Sequence, residues 1–334
     1  MDKVKLGKSD IEVSAMTVGC WSFGGGDYWG EQSQKDVDNV VNTALDLGIT
    51  TFDTAEMYNN GASELSLGKA LKRRRDEAIV ISKIGPANAA HVRKHCIESL
   101  ERLGMDYLDV YMLHWPVAGT QLTNGEIILQ LDALKKEGLI RSIGISNFGY
   151  RQMEEVVKTG IQIDVNEIAY NIVSRAIEAE IAPYCLAHNI SIIGAMGLQQ
   201  GLLAGIYKTP DDVPLNQAHS RHFANDRGGG TSRHGEAGAE KEIFSTIAQL
   251  QKIADDLRVH IAQLSIAWIL KKPFMASTLV GSRNIEELKV NLEACSLEIS
   301  DDTEALIDSI SQPVWDLLGN SPDYYENRSK SRIL

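Results

Sequence analysis

The chain has 334 residues, 43% of them hydrophobic and 23% charged, enough to bury a large core in an ordinary globular protein. Its 45 acidic and 33 basic residues give a formal net charge of −12, which argues against non-specific nucleic-acid binding and against attraction to an anionic membrane. Cys20, Cys96, Cys185 and Cys295 form no C-x-x-C pair, so they read as reduced thiols of a cytoplasmic protein rather than a disulfide frame or a zinc site.

Residues 4–13 read as a hairpin. Short β-branched runs then alternate with longer segments of helical period, the mark of repeated βα units. Eight runs are candidate strands: 16–20, 51–54, 78–83, 107–114, 140–146, 164–170, 191–196 and 277–281. Residues 33–47 predict a helix with Val37, Val40, Val41, Ala44 and Leu45 on one face and Gly48 as its stop. Ser63 is expected to cap a helix over 64–72.

Two stretches stand outside the repeat. Residues 207–240 carry Gly228-Gly229-Gly230, two prolines and the basic group Arg221, His222, Arg227, Arg233 and His234. So long a connection is expected as a mobile loop. Residues 312–334, with Trp315, Tyr324 and Tyr325, are expected as a tail over the mouth of the fold. The whole predicts one domain, a (β/α)8 barrel whose sites lie at the C-terminal ends of its strands.

Asp53, Tyr58, Lys83 and His114 each fall at or just after such an end. A phenol beside an ammonium ionises more easily, a carboxylate keeps that ammonium charged and in place, and a histidine can orient a carbonyl oxygen. Together they make a proton-donating site for carbonyl reduction. Lys83 has a rival role as a Schiff-base lysine, against which the carboxylate of Asp53 argues. Asp53 could instead cap the following helix, and His114 could be a satisfied core histidine.

The blocks FDTAEMYNNGASELSLGKAL, ISK, YMLHWP, IGISNF and GSRNIEELKVNL, in that order between residues 19 and 291, resemble the aldo-keto reductase superfamily, including its sugar and aldehyde reductases and its channel beta subunits. The resemblance implies a barrel plugged by the N-terminal hairpin. It also implies an NAD(P)(H)-dependent oxidoreductase interconverting an aldehyde or ketone and its alcohol, with Tyr58 as general acid and Asp53, Lys83 and His114 around it. A nicotinamide-binding regulatory subunit and a Lys83 lyase are the alternatives.

For the cofactor, the resemblance implies contacts from Cys20, Trp21, Asp53, Ser146, Asn147, Met196, Leu198, Gln200, Gly201, Gly281, Ser282 and Asn291. Glu167 stands where the family usually has glutamine, adding charge beside the ring. Ala195 or Met196 stands where it usually has a stacking aromatic. Arg283, at a helix N-terminus suited to phosphate, favours NADP(H) over NAD(H), whereas Glu287 would repel a 2′-phosphate. Basic residues of the 221–234 segment would add charge over the pyrophosphate. Trp21, Tyr28, Tyr58, His114 and Trp115 are expected to meet a small carbonyl substrate, with Trp29 beside them. No metal-ligand cluster, nucleic-acid partner or membrane partner is expected, and nothing in the sequence indicates an oligomer.

Overall fold

A computed structural model of the chain describes residues 3–119 and 121–334. Strands β1 (Lys3–Lys5) and β2 (Glu12–Ser14) pair as an antiparallel hairpin. The eight parallel strands β3 (Met16–Gly19), β4 (Thr51–Asp53), β5 (Ile79–Ile84), β6 (Leu108–Leu113), β7 (Ile140–Ser146), β8 (Val165–Ala169), β9 (Ser191–Ala195) and β10 (Met275–Val280) follow. They close into a barrel in that order, with β10 returning to β3. Each coincides with one of the eight apolar runs to within a few residues.

Helices lie between successive strands: α1 (Gln34–Asp46), α2 (Ala62–Leu71), α3 (Val92–Leu103), α4 (Asn124–Glu137), α5 (Tyr150–Val157) and α6 (Ile181–His188), then α7 (Glu240–Leu257) and α8 (Ile261–Leu270) before β10. Helices α9 (Ile285–Glu293) and α10 (Asp301–Leu318) follow it. In α1 the hydroxyl of Ser33 accepts from the Asp36 amide, the predicted apolar stripe is buried, and Gly48 takes φ +85° just past the end. Ser63 does not cap α2. The chain turns into that helix at Gly61, at φ +85°, and the Ser63 hydroxyl is buried, donating to the Cys20 carbonyl at 2.7 Å and meeting the Thr54 hydroxyl at 2.7 Å.

The hairpin closes the bottom of the barrel. Leu6, Ile11 and Val13 pack against the inward residues Ile81, Val110, Met112, Val165, Ile193 and Ala276. Each such apolar side chain contributes about 1.5–3 kcal/mol on burial. Gly7 makes the close turn at φ +51°, where a Cβ would come 2.7 Å from the Asp164 backbone. Because side chains alternate along a strand, the residue two places further on points the same way, one layer higher. Lys83 follows Ile81, His114 follows Met112 and Glu167 follows Val165 in this manner. The apolar floor therefore carries a polar layer directly above it, at the C-terminal mouth.

The basic residues of the 207–240 segment are not all solvated, as a surface loop would have them. Arg221 and His222 are fully buried and His234 nearly so. The Arg221 guanidinium donates to the carbonyls of Leu318 (2.8 Å) and Asp323 (3.3 Å) and lies 3.5 Å from Glu236. Arg227 pairs with Asp211 and Glu240, and Arg233 with Glu326. Arg221 and Arg233 thus fasten the segment to the tail, while Arg227 braces it against Asp211 and the start of α7. The tail itself begins after α10, which runs on to Leu318 and takes up the first part of residues 312–334. Beyond it, Arg332 places its guanidinium 3.9 Å from the Trp115 ring centre. Among the described residues no helix is long and apolar enough to cross a membrane.

Candidate active site

Asp53 ends β4, Lys83 lies near the end of β5, His114 follows β6 and Glu167 lies on β8. The structure brings all four together with Tyr58. Lys83 donates to Asp53 Oδ1 at 2.6 Å and to the Thr54 carbonyl at 3.0 Å, and Glu167 Oε1 lies 3.4 Å from its Nζ. Lys83 is 0% exposed, Asp53 1% and Glu167 3%. The ammonium sits 5.2 Å from the centre of the Tyr58 ring. That ring meets His114 edge-on, centroids 5.6 Å apart, and lies 5.8 Å from Trp21 in a stacked arrangement.

Tyr58 is positioned by the turn after it. Asn59 (φ 50°), Asn60 (φ 53°) and Gly61 are successive left-handed residues, a conformation that asparagine and glycine tolerate. The Asn59 amide donates to the carbonyls of Trp21 (2.9 Å) and Phe23 (3.0 Å), tying this turn to the loop after β3. A Cβ on Gly26 would come 2.5 Å from the Asn59 amide oxygen, so only glycine lets the two loops approach. On the other side Glu56 accepts from the Gly85 amide and from Asn88, and holds His95 at 2.8 Å.

The charge states follow from burial. Desolvation alone would lower the Lys83 pKa, but Asp53, Glu167 and Tyr58 outweigh it and hold it raised, so Lys83 is an ammonium. A charged lysine is no Schiff-base nucleophile. Burial, then the charge of Lys83, pushes the His114 pKa well below the usual imidazole value, so this histidine is neutral. Burial raises the Glu167 carboxyl well above the usual carboxylate range; Asp53 adds to the rise and Lys83 opposes it. For Tyr58 the expected activation is overturned in sign. Lys83 does pull its pKa down, yet burial pushes it further up, helped by Asp53 and Glu167, and the phenol keeps its proton.

Two buried atoms on the site's groups have no hydrogen-bond partner among the described residues: His114 Nδ1 and Glu167 Oε2. Buried polar atoms rarely go unsatisfied, and at a cleft such orphans point to an absent ligand. Beside Glu167, its register partner Ser146 accepts from the side-chain amide of Asn147 at 3.0 Å, and that amide also reaches the His114 carbonyl. Asn147 is left-handed at φ 61°.

After β9, Met196, Gln199, Gln200 and Gly201 all take positive φ, whereas Leu198 between them stays at φ −105°. Asn171 pins this turn through the Met196 carbonyl and the Gln199 side chain, both at 2.9 Å. The Tyr325 hydroxyl lies 3.4 Å from Met196 Sδ, so the tail brings an aromatic ring to a place where the local sequence offers none. Gln200 reaches across the mouth to the Tyr28 hydroxyl at 2.7 Å, and Tyr28 stacks on Trp21 at 4.9 Å. Trp29 meets Trp21 edge-on, and its indole nitrogen is a further buried atom without a partner among the described residues.

Cys20, at the end of β3, is fully buried, and desolvation pushes its thiol pKa well up. Gly281 is exposed after β10, whereas Ser282 is buried with its hydroxyl 3.2 Å from the Asn291 amide, which is thereby turned inward. Arg283 is tied to Gln32 Oε1 at 3.0 Å and to the Glu31 carbonyl at 2.6 Å. Glu287 folds back on the start of α9, accepting from the Arg283 amide and the Asn284 side chain, both at 2.9 Å. A carboxylate thus already stands where the sequence suggested a phosphate. Asn59, Asn171 and Gln32 are the residues around the site that sequence reasoning missed, with only the Asn-Asn-Gly turn leaving a local signal; Tyr325 was expected over the mouth but not against Met196.

A model of the aldo/keto reductase family matches residues 15–312. The NADH-specific methylglyoxal reductase of Escherichia coli strain K12 is 30% identical, over 93% of this chain and 99% of that protein. A probable voltage-gated potassium channel subunit beta of Arabidopsis thaliana is 28% identical, over 94% and 97%. Among solved structures, an aldo/keto reductase from Klebsiella pneumoniae in complex with NADP and acetate superposes with a TM-score of 0.73 at 25% identity, covering 99% of this chain and 98% of the other.

Proposed function

The chain belongs to the aldo/keto reductase family, and from that premise we propose that it interconverts a small aldehyde or ketone and its alcohol with a nicotinamide cofactor. The observation that carries this reading is the buried Lys83–Asp53 pair beside a protonated Tyr58 and a neutral His114. When bound, the nicotinamide supplies the hydride to the carbonyl carbon. Tyr58 gives its phenolic proton to the carbonyl oxygen, or accepts one when the reaction runs toward oxidation. Lys83, fixed by Asp53, stabilises the negative charge that develops on the phenolic oxygen as that proton leaves. His114 orients the carbonyl oxygen, and the aromatic walls of Trp21, Tyr28, Trp29 and Trp115 suit a sugar-like or small aldehyde.

Ser146, Asn147 and the free oxygen of Glu167 fit a carboxamide, which offers both a donor and an acceptor. The methylglyoxal reductase named above is NADH-specific, while the Klebsiella structure holds NADP. With Arg283 engaged and Glu287 seated at the start of α9, the geometry supports NAD(H) at least as well as the NADP(H) that Arg283 alone suggested. The free cysteines, three of them buried, fit the reducing cytoplasm.

Likeness to the channel subunit favours a second reading, a nicotinamide-binding regulatory protein without turnover. One experiment separates the two. NADH and NADPH are titrated by tryptophan quenching, and turnover is followed on an aldehyde panel. Binding with aldehyde-dependent cofactor oxidation supports the enzyme, binding with none across the panel supports the regulatory protein, and failure to bind either cofactor sinks both.

A further inference from the structure

We propose that Glu167 selects the oxidation state of the bound cofactor. As a carboxylate it favours the positively charged oxidised nicotinamide, as a neutral acid it favours the reduced one, and exchanging one for the other moves a proton off or onto this side chain. The inference rests on the oxidoreductase reading above and adds to it a residue that sets the balance between the two directions.

Geometry fixes where the ring's charge must appear. A carbonyl held by Tyr58 and His114 reacts only with a hydride donor about 3–3.5 Å away, so the ring has to share the polar layer of the mouth with them. Lys83 links that layer together, 5.2 Å from the Tyr58 ring centre and 3.4 Å from Glu167 Oε1. In so buried a setting a unit charge is felt strongly over such distances.

The charges can be counted. Facing Glu167 are Asp53 from β4, whose carboxyl can share a hydrogen bond with it, Lys83 from β5 and Tyr58 from the turn after β4, with His114 from the end of β6 packed edge-on against Tyr58. Its register partners on the flanking strands, Ser146 and Ile193, carry no charge, and β10 has no ionisable residue. Cys20, closing β3, keeps its proton because burial raises it. With Tyr58 and His114 neutral, Lys83 balances one carboxylate, that of Asp53. A second buried carboxylate is uncompensated beside a neutral, reduced ring, and Glu167 holds a proton. The oxidised ring brings the missing positive charge and releases it. A glutamine at this position would fill the same space and make similar contacts but could not titrate.

The test is isothermal titration of NAD+ and NADH, and of NADP+ and NADPH, into wild type and Glu167→Gln at pH 7. Two buffers of different ionisation enthalpy convert the heats into protons released. Comparing the two oxidation states within each pair cancels any contribution from the 2′-phosphate. Wild type is expected to release about one proton more on binding the oxidised form than the reduced form. In Glu167→Gln that difference vanishes, and the preference for oxidised over reduced cofactor falls about tenfold. Raising the pH from about 6 to about 8 should shift the wild-type preference toward the oxidised form, a readout that needs no variant. Equal proton counts for the two forms in wild type, or a preference unchanged in the variant, overturns the proposal. If wild type binds no cofactor in any form, the oxidoreductase reading falls as well, which distinguishes the two failures.

Discussion

The side-chain amide of Gln200 donates to the hydroxyl of Tyr28 at 2.7 Å, joining the loops after the first and seventh barrel strands across the mouth. Gln200 is held for this contact in a left-handed conformation at φ 53°, and Tyr28 is held by its stacking on Trp21. If the cofactor lies beneath this bridge, its release requires the bridge to open. Tyr28→Phe keeps the ring and removes the hydroxyl, a neutral hydrogen bond worth about 1 kcal/mol. Stopped-flow displacement should show cofactor leaving about fivefold faster; an unchanged release rate would mean the bridge does not gate.

Tyr58→Phe should leave cofactor affinity within about twofold of wild type while lowering turnover at least about a hundredfold, the contribution of a positioned general acid. Steady-state rates on the best aldehyde, with cofactor titration alongside, check both halves. Wild-type-like turnover would remove Tyr58 from the mechanism.

Lys83 should resist borohydride trapping. Asp53, bonded to it at 2.6 Å, keeps it an ammonium, and imine formation requires the free amine. Incubation with aldehyde and borohydride, followed by mass spectrometry of the intact chain, should show no adduct at Lys83.

Glu287→Gln should raise the NADPH-to-NADH affinity ratio about tenfold, because it removes the negative charge that fills the start of α9 beside Arg283. Fluorescence titration with both cofactors measures the ratio. No change would show that a 2′-phosphate is read elsewhere.

His222 is buried and bonded to Ser174 at 2.9 Å and Ser220 at 3.0 Å; burial first, then the charge of Arg221, brings its pKa down to about 3. The unfolded chain binds this proton near pH 6.5 and the folded chain does not. Stability is therefore complete above about pH 6.5 and falls as the pH drops toward about 3, by up to about 1.4 kcal/mol per unit from this group. Thermal unfolding of His222→Gln across that range should show a shallower slope than wild type, although the variant is less stable at pH 7.

The barrel was legible because its strands are short apolar runs that recur with the period of βα units; Asp53, Lys83 and His114 stand at the ends of such runs and Tyr58 in the loop just after one. What misled was chemistry settled by distant contacts. Ser63 has the composition of a cap, but a left-handed Gly61 begins the helix earlier and the hydroxyl is used to fasten β3 and β4. Arg221 and His222 read as solvent-loving, and nothing near them in sequence tells that carbonyls about a hundred residues later will bury the guanidinium. The sign of the Tyr58 shift depends on how completely water is removed from around it, a quantity no motif encodes. Tyr325 approaches Met196 from 129 residues away, so the aromatic missing after β9 could not have been looked for locally.

The hairpin under the barrel has a consequence for the chemistry above it. Leu6, Ile11 and Val13 leave the charged layer resting on a slab of low polarisability, with solvent on one side only. Field lines from Lys83 and Asp53 are not screened from below, and they emerge through the mouth. The bottom of the fold thus acts as an insulating backing plate: it makes no contact with a reactant, yet it directs the electrostatic work of the site toward whatever enters from the top.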